Sequence, residues 1–405
     1  MDGASIIEQL MTTEGRFDPY PLYARAHELG AAAPAGPGAV LVVGHAAVNQ
    51  VLRNPAFALE DTKSLAADHA ELLAHPSVEL FGRSILQRNA PDHGRVRSLI
   101  TSAFNARRVA SLRPAVEATV QRLLDELAGR GADGSPVDFM DAFAFRLPVE
   151  VICELLGVPA ADRHRFRGLA SDLTIALELI QDLGELAAAD LAAEELSTYF
   201  AELTAERLAR PTGDLVSDLA RIAADSPDRI SGEELLSNLA LLLVAGFETT
   251  TNLLGNGLAL LFRHPEAAEG LRTGALDPAL FTDEVLRYDS PVQVTSRIST
   301  APDLTVAGLP APTGTVLFTM LGAANHDPAR YPRPDRFDPT RTDSQPLSFG
   351  GGSHFCLGSQ LARLEADIAV PALLDRFPRL ASGGVPTRRD RLVLRGYETL
   401  PVTVR

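Results

Sequence analysis

The chain has 405 residues, 46% of them apolar and 22% charged, with a formal charge of −15. That balance describes a globular protein with a substantial core rather than a disordered one, and it opposes a sequence-independent grip on nucleic acid, which depends on Lys and Arg neutralising phosphates. Two cysteines, Cys153 and Cys356, are too few for a disulfide framework, lack the paired spacing of a zinc site, and fit a reducing cytoplasm.

Residues 1–15 carry Asp2, Glu8 and Glu14, and the longest strongly apolar stretch, 239–245, is too short to span a bilayer, so neither a signal peptide nor a membrane anchor is expected. Residues 40–43 read as a short strand. In Pro91-Asp92-His93-Gly94-Arg95-Val96-Arg97 the histidine and the last arginine lie four apart and can face one side of a helix start. Arg107, Arg108 and Arg113 then form a basic cluster. Residues 114–128 and 183–208, rich in Ala, Leu, Glu and Arg, predict amphipathic helices. Cys153, in the apolar run 149–156, reads as a small core residue.

Ser231 and Glu234 form a capping-box signature, followed by apolar residues almost unbroken to about Phe262. At about 1.5 Å per residue this helix could cross the whole molecule, and being apolar nearly all round it should be buried centrally. Its middle, Ala245-Gly246-Phe247-Glu248-Thr249-Thr250-Thr251, is a poor choice for a purely structural core helix. Gly246 is expected to let the helix bulge there. Further on, Glu284-Val285-Leu286-Arg287 places an acid and a base on one helix face. Residues 304–306, 316–319 and 401–404 read as short strands, and 327–343, dense in Pro, Arg and Asp, as an irregular surface-hugging loop. With no repeat and no low-complexity linker, the expectation is one mainly α domain over 1–405 with a few small sheets.

Cys356 lies in Phe349-Gly350-Gly351-Gly352-Ser353-His354-Phe355-Cys356-Leu357-Gly358, where three glycines allow a tight backbone approach to something flat or bulky. A good helix former, 361–366, follows at once. A thiolate at a helix N-terminus gains from the macrodipole and from free backbone N–H donors. Haem iron is one acceptor for such a ligand. Taken alone, a single cysteine is more often a buried structural thiol, and it is the surrounding residues that decide otherwise. The absence of Cys-x-x-Cys-His means that any haem would be held non-covalently.

The decapeptide resembles the haem-binding loop of the cytochrome P450 family, Phe-Gly-x-Gly-x-His-x-Cys-x-Gly, at every fixed position. The resemblance extends over most of the chain, since Glu284 and Arg287 match the family's Glu-x-x-Arg, and Ala245-Gly246-x-Glu248-Thr249-Thr250 its Ala/Gly-Gly-x-Asp/Glu-Thr. It implies the P450 fold, a helical bundle around a long central helix, with haem b (iron protoporphyrin IX) as cofactor. Cys356 would be the metal ligand, shielded by Phe349, with the Leu357 and Gly358 amides on its sulfur and Gly350 also binding the cofactor. His93, Arg97, Arg297 and His354 resemble the propionate partners. Ala245 and Gly246 would border the haem, while Thr249 and Glu248 would be catalytic, the hydroxyl holding a water and the acid linking it to solvent. Arg336 would complete a structural triad with Glu284 and Arg287. Asn325-His326-Asp327-Pro328 departs from the family's Asn-Arg-Asp-Pro, and a modest structural effect is expected there.

The implied activity is a monooxygenase that inserts one oxygen atom of dioxygen into a largely hydrophobic small organic substrate, in secondary-metabolite tailoring. Oxidative coupling, ring closure or desaturation would share every motif, and a haem-binding sensor would not need Glu248 and Thr249. No cysteine cluster and no Gly-rich dinucleotide fingerprint is present, so electrons would come from a separate ferredoxin and its reductase. The family's substrate selectivity maps to 60–89 and 169–186, here with Leu65, Leu80, Phe81, Ile85, Leu86, Leu173, Ile175 and Leu177.

Overall fold

The computed structural model describes residues 1–62, 65, 69–180 and 182–404; parts of both expected selectivity segments, at 63–64, 66–68 and 181, lie outside them. The helices that shape the site are, in chain order, α1 (Pro76–Arg83), α2 (Asp92–Ala103), α3 (Arg113–Arg130), α4 (Arg146–Leu156), α5 (Phe166–Leu173), α6 (Ala187–Ala209), α7 (Leu215–Asp225), α8 (Gly232–Arg263), α9 (Pro278–Tyr288) and α10 (Ser359–Arg376). The helix expected over 183–208 opens with one 3-10 turn, Leu183–Leu186, because Asp182 and Glu185 cap that turn before α6 begins.

The capping box opens α8 as read from the sequence: Ser231 Oγ accepts from the Glu234 amide at 3.1 Å and Glu234 Oε2 from the Ser231 amide at 3.0 Å. The helix has 32 residues, about 48 Å, and is buried along almost its whole length. It packs against α4, α6 and α10, and one apolar cluster, including Leu123, Phe143, Leu243 and Leu373, joins these layers. The expected bulge at Gly246 is absent, since α8 is regular α-helix throughout. The glycine serves packing instead: a Cβ there would lie 2.9 Å from Ile152 Cδ1 and Cγ1 on α4.

Five strands make the main sheet: β1 (Ala32–Pro34), β2 (Ala39–Val42), β3 (Phe57–Ala58), β4 (Thr295–Ser299) and β5 (Val316–Thr319), in the order β1-β2-β5-β4-β3. Only β2 and β5 run parallel. Strand β4, rich in hydroxyls and missed in the sequence, is fixed by its neighbours, with Arg297 opposite Leu317. The smaller strands Thr305–Val306 and Pro401–Thr403 fall where expected.

Arg287 is wholly buried and uses all five of its N–H donors. Nε and Nη2 donate to Glu284 at 2.8 and 2.7 Å; Nη1 donates to the Asn325 and Pro334 carbonyls at 3.0 and 2.9 Å; and Nη2 also donates to the Arg336 carbonyl at 3.0 Å. The sequence expectation for the third member needs correction. Arg336 contributes only its backbone oxygen and its side chain is exposed, whereas the Arg341 guanidinium approaches Glu284 to 3.5 Å and the Asp338 amide donates to it at 2.7 Å. Arg341 is fixed there by donating to the Pro332 and Arg333 carbonyls. His326 Nε2 donates to the Tyr288 carbonyl at 2.9 Å between Tyr20 and Tyr288, and burial pushes its pKa down to about 4.

Candidate active site

The cysteine loop is shaped by its glycines. Gly350 and Gly352 adopt φ of 70° and 64°, the left-handed region that favours glycine, and a Cβ on Gly352 would lie 2.4 Å from the Leu52 carbonyl. The Cys356 amide closes the loop on the Phe349 carbonyl at 2.9 Å, and α10 starts three residues later. Burial pushes the Cys356 thiol above its ordinary value, opposed by the Gly358 amide, Arg97 and the Ser359 amide. The Gly358 and Ser359 amides, at the turn into α10, thus favour charge on the sulfur. Gly351 is closely packed as well, since a Cβ there would meet Leu52 at 3.3 Å.

One cavity of about 410 Å³ lies between this loop and the middle of α8. Of the residues singled out in the sequence, Arg97, Ala245, Gly246, Glu248, Thr249, Arg297, Phe349, Gly350, His354, Cys356, Leu357 and Gly358 all line it. His93 stands just behind, buried, with its ring 4.0 Å from that of His354. Phe81, Ile85, Leu86 and Leu177 also line the cavity, whereas Leu65, Leu80, Leu173 and Ile175 do not. Leu80 and Leu173 are buried in the main core instead. Much of the wall comes from residues with no signature, among them Leu59, Ile152, Leu241, Val294, Phe318, Val393 and Leu394.

Four basic side chains, those of His93, Arg97, Arg297 and His354, gather at one edge without an acid partner among the described residues. Arg97 donates to the Phe355 carbonyl at 2.6 Å, and Arg297 to the Ser296 carbonyl at 2.7 Å and Thr295 Oγ1 at 3.1 Å. Among the described residues neither guanidinium has a carboxylate partner. Burial alone pulls Arg297 down to about 10. Burial, with His93, Arg297 and Arg97 nearby, holds His354 down at about 3, and burial and Arg97 lower His93, whose Nε2 has no partner among the described residues. A buried guanidinium, a half-buried one and an orphaned imidazole nitrogen in one place fit an anionic ligand group, as the carboxylates of a haem would be.

On the opposite wall, Thr249 Oγ1 donates to the Ala245 carbonyl at 3.0 Å. Glu248 is buried in an ion pair between its Oε2 and Arg389 Nη1, and Arg389 also reaches Ser171 Oγ on α5 at 3.1 Å and Glu398 at 3.3 Å. Burial disfavours charge on Arg389, but the two acids outweigh it and hold the guanidinium charged. Arg389 was not legible beforehand, for it lies in a charged C-terminal loop with no local pattern. The same holds for Glu178, whose carboxylate accepts from the amides of Leu392, Val393 and Leu394 at 2.8, 2.8 and 3.2 Å and so clasps two walls of the cavity together. Cys153 is a core residue with its thiol raised to about 12 by burial. Arg108 is tied to Asp218 at 2.9 Å, leaving Arg107 exposed and Arg113 in a surface pair with Glu117. Among the described residues no helix is long and apolar enough to cross a membrane.

The cytochrome P450 family model matches residues 280–395. The chain is 36% identical over 388 residues to the putative cytochrome P450 133B2 of Xylella fastidiosa, covering 95% of each. It is 35% identical over 400 residues to the 6-deoxyerythronolide B hydroxylase of Saccharopolyspora erythraea, covering 95% of this chain and 96% of that one. Its fold superposes with a TM-score of 0.89 on P450BioI, solved in complex with an acyl carrier protein ligated to hexadec-9Z-enoic acid, at 32% identity and covering 97% and 100% of the two chains. Likeness over nearly the whole length, joined to a cysteine loop, a basic edge and a hydroxyl-bearing helix around one cavity, establishes that this chain is a monooxygenase of the cytochrome P450 family.

Proposed function

We propose that residues 1–405 form one domain around a single haem b, and that the enzyme oxygenates a largely hydrophobic small molecule in secondary-metabolite tailoring. The observation that carries this is the convergence of Cys356, the unpaired Arg97 and Arg297, and Thr249 on one cavity with an otherwise mainly apolar lining. Cys356 would hold the iron as thiolate, helped by the Gly358 and Ser359 amides; Phe349 would shield the sulfur; and Arg97, Arg297, His93 and His354 would take the propionates. When bound, the haem supplies activation of dioxygen and transfer of one oxygen atom to the substrate. The chain's own work is to position and to deliver protons. Phe81, Ile85, Leu86, Leu177 and Val393 would exclude water and orient the substrate. The Thr249 hydroxyl would hold a water at the cavity, and Glu248 would supply its protons.

Electrons would come from a ferredoxin and its reductase, docking near Arg107 and the 44%-exposed Phe355 beside the cysteine. The reduced protein under carbon monoxide should show the long-wavelength Soret band of a thiolate-ligated haem. Cys356→Ser should lose it and Cys153→Ser keep it. An imidazole-type band in freshly prepared wild-type protein would refute the ligand assignment, and a spectral-shift screen of the ferric enzyme would then define the substrate class.

A further inference from the structure

Three consecutive polar positions on one face of α8 differ in how they are satisfied. Asn256 is saturated: Nδ2 donates to the Asp289 and Arg395 carbonyls at 2.9 and 3.2 Å, and Oδ1 accepts from Arg388 at 3.2 Å. One turn earlier, Asn252 is just as deeply buried, yet neither its Oδ1 nor its Nδ2 has a hydrogen-bond partner among the described residues. One turn earlier again, Glu248 has Oε2 on Arg389 while its buried Oε1 has none, and the Thr251 hydroxyl on the same side also has none. Residues three and four apart are neighbours on a helix surface, so Thr251 and Asn252 each flank Glu248, and the three side chains leave one polar patch on α8.

Glu248 and Asn252 face the C-terminal hairpin formed by Thr387–Arg388 and Tyr397–Thr399, through Arg389 and Gly396. The Arg389 amide donates to the Gly396 carbonyl at 3.2 Å, and a Cβ on Gly396 would lie 1.9 Å from Asn252 Oδ1, so only glycine leaves room for the carboxamide. Buried polar groups in native proteins are paired, with water where protein does not reach. A second constraint comes from Arg389. It stands between Glu248 and the exposed Glu398, and a guanidinium does not give up its proton, so no proton can pass to Glu248 along that route. The side of the carboxylate left for proton entry is Oε1.

We propose that Asn252, with Thr251, holds ordered water against Glu248 Oε1, and that this water supplies the proton Glu248 passes to the water at the Thr249 hydroxyl. Asn252 is then a positioning residue. The water gives a proton to Oε1, Glu248 gives one to the water at the Thr249 hydroxyl, and solvent restores the first water. The proposal rests on the reading of Glu248 and Thr249 as the proton relay.

The test uses the haem-loaded enzyme with its electron donors, comparing Asn252→Leu, Asn252→Asp and Thr249→Ala. Asn252→Leu should keep the carbon monoxide band and the substrate-induced spectral shift. Its product formed per electron should fall several-fold and its solvent isotope effect on turnover should rise. Turnover driven by peroxide, which brings its own protons, should stay near wild type. Asn252→Asp, which still binds water, should recover most of the coupling. Unchanged coupling and isotope effect in Asn252→Leu while Thr249→Ala uncouples would overturn this proposal alone. Unchanged coupling in both would overturn the relay reading and this proposal with it. Should Asn252→Leu fail to retain haem, a high-resolution crystal structure of the wild-type holoenzyme decides: water bridging Glu248 Oε1 and Asn252 supports the proposal, and a dry contact refutes it.

Discussion

Replacing Arg287 by Lys preserves the charge and tests whether geometry or charge secures the region under the cysteine loop. The guanidinium makes five hydrogen bonds: two to Glu284, and one each to the carbonyls of Asn325, Pro334 and Arg336. An ammonium has three donors, so at least two of these bonds are lost. Losing a buried bond of this kind costs about 1–3 kcal/mol, giving about 2–6 kcal/mol in total. The damage should spread towards the haem site. Asn325, held by Arg287 through its carbonyl, accepts from the Leu347 amide at 2.8 Å and donates to Ser348 Oγ at 2.9 Å, and these residues lead directly into Phe349. Equilibrium urea unfolding of the holoenzyme should therefore show a clear drop in stability, with a smaller fraction of the reduced carbon monoxide complex in the thiolate form. A loss below about 0.5 kcal/mol, the range of ordinary surface substitutions, would refute the view that the fork geometry matters.

His326 is held neutral, its pKa pushed from 6.5 to about 4 by burial, so the unfolded chain binds the extra proton first and this residue's stability contribution, complete above pH 6.5, is lost as pH falls towards 4. The loss is on the order of 3 kcal/mol; urea unfolding of His326→Gln against pH should show a flatter profile, and an unaltered slope would exclude His326 as its source. Thr249→Ala should bind substrate normally while diverting electrons to peroxide, with product formation slowed on the order of 10²-fold, as single-turnover and peroxide assays would show. Charge reversal at Arg107 should slow reduction by ferredoxin and weaken its salt dependence in stopped-flow measurements, with dithionite reduction unaffected. The same change at Arg108 should also lower stability, because it breaks the pairing with Asp218.

What could be read from the sequence was whatever local chemistry imposes. The capping box at Ser231 and Glu234 sets the start of α8, and the glycines around Cys356 are required by left-handed backbone and by contact with Leu52. Partners that meet only through the fold were out of reach. Arg389 joins Glu248 across 141 positions, and Glu178 joins Leu392 across 214. Strand β4 has a weak pattern of its own and takes its conformation from β3 and β5. The third partner of Glu284 cannot be picked from sequence, because the irregular loop holds several arginines and only its path selects Arg341 over Arg336. Gly246 was located correctly, but its reason lies on another helix, at Ile152.

The Glu178 clasp separates how the cavity is shut from what it accepts. All three donors to that carboxylate are main-chain amides, at Leu392, Val393 and Leu394, while the side chains of Val393 and Leu394 form part of the cavity wall. Any residue except proline supplies the same N–H. Substitutions at 393 and 394 can therefore reshape the wall while the seam stays closed, which makes these two positions a natural place for divergence in substrate range, in evolution or by design, at little cost to the architecture.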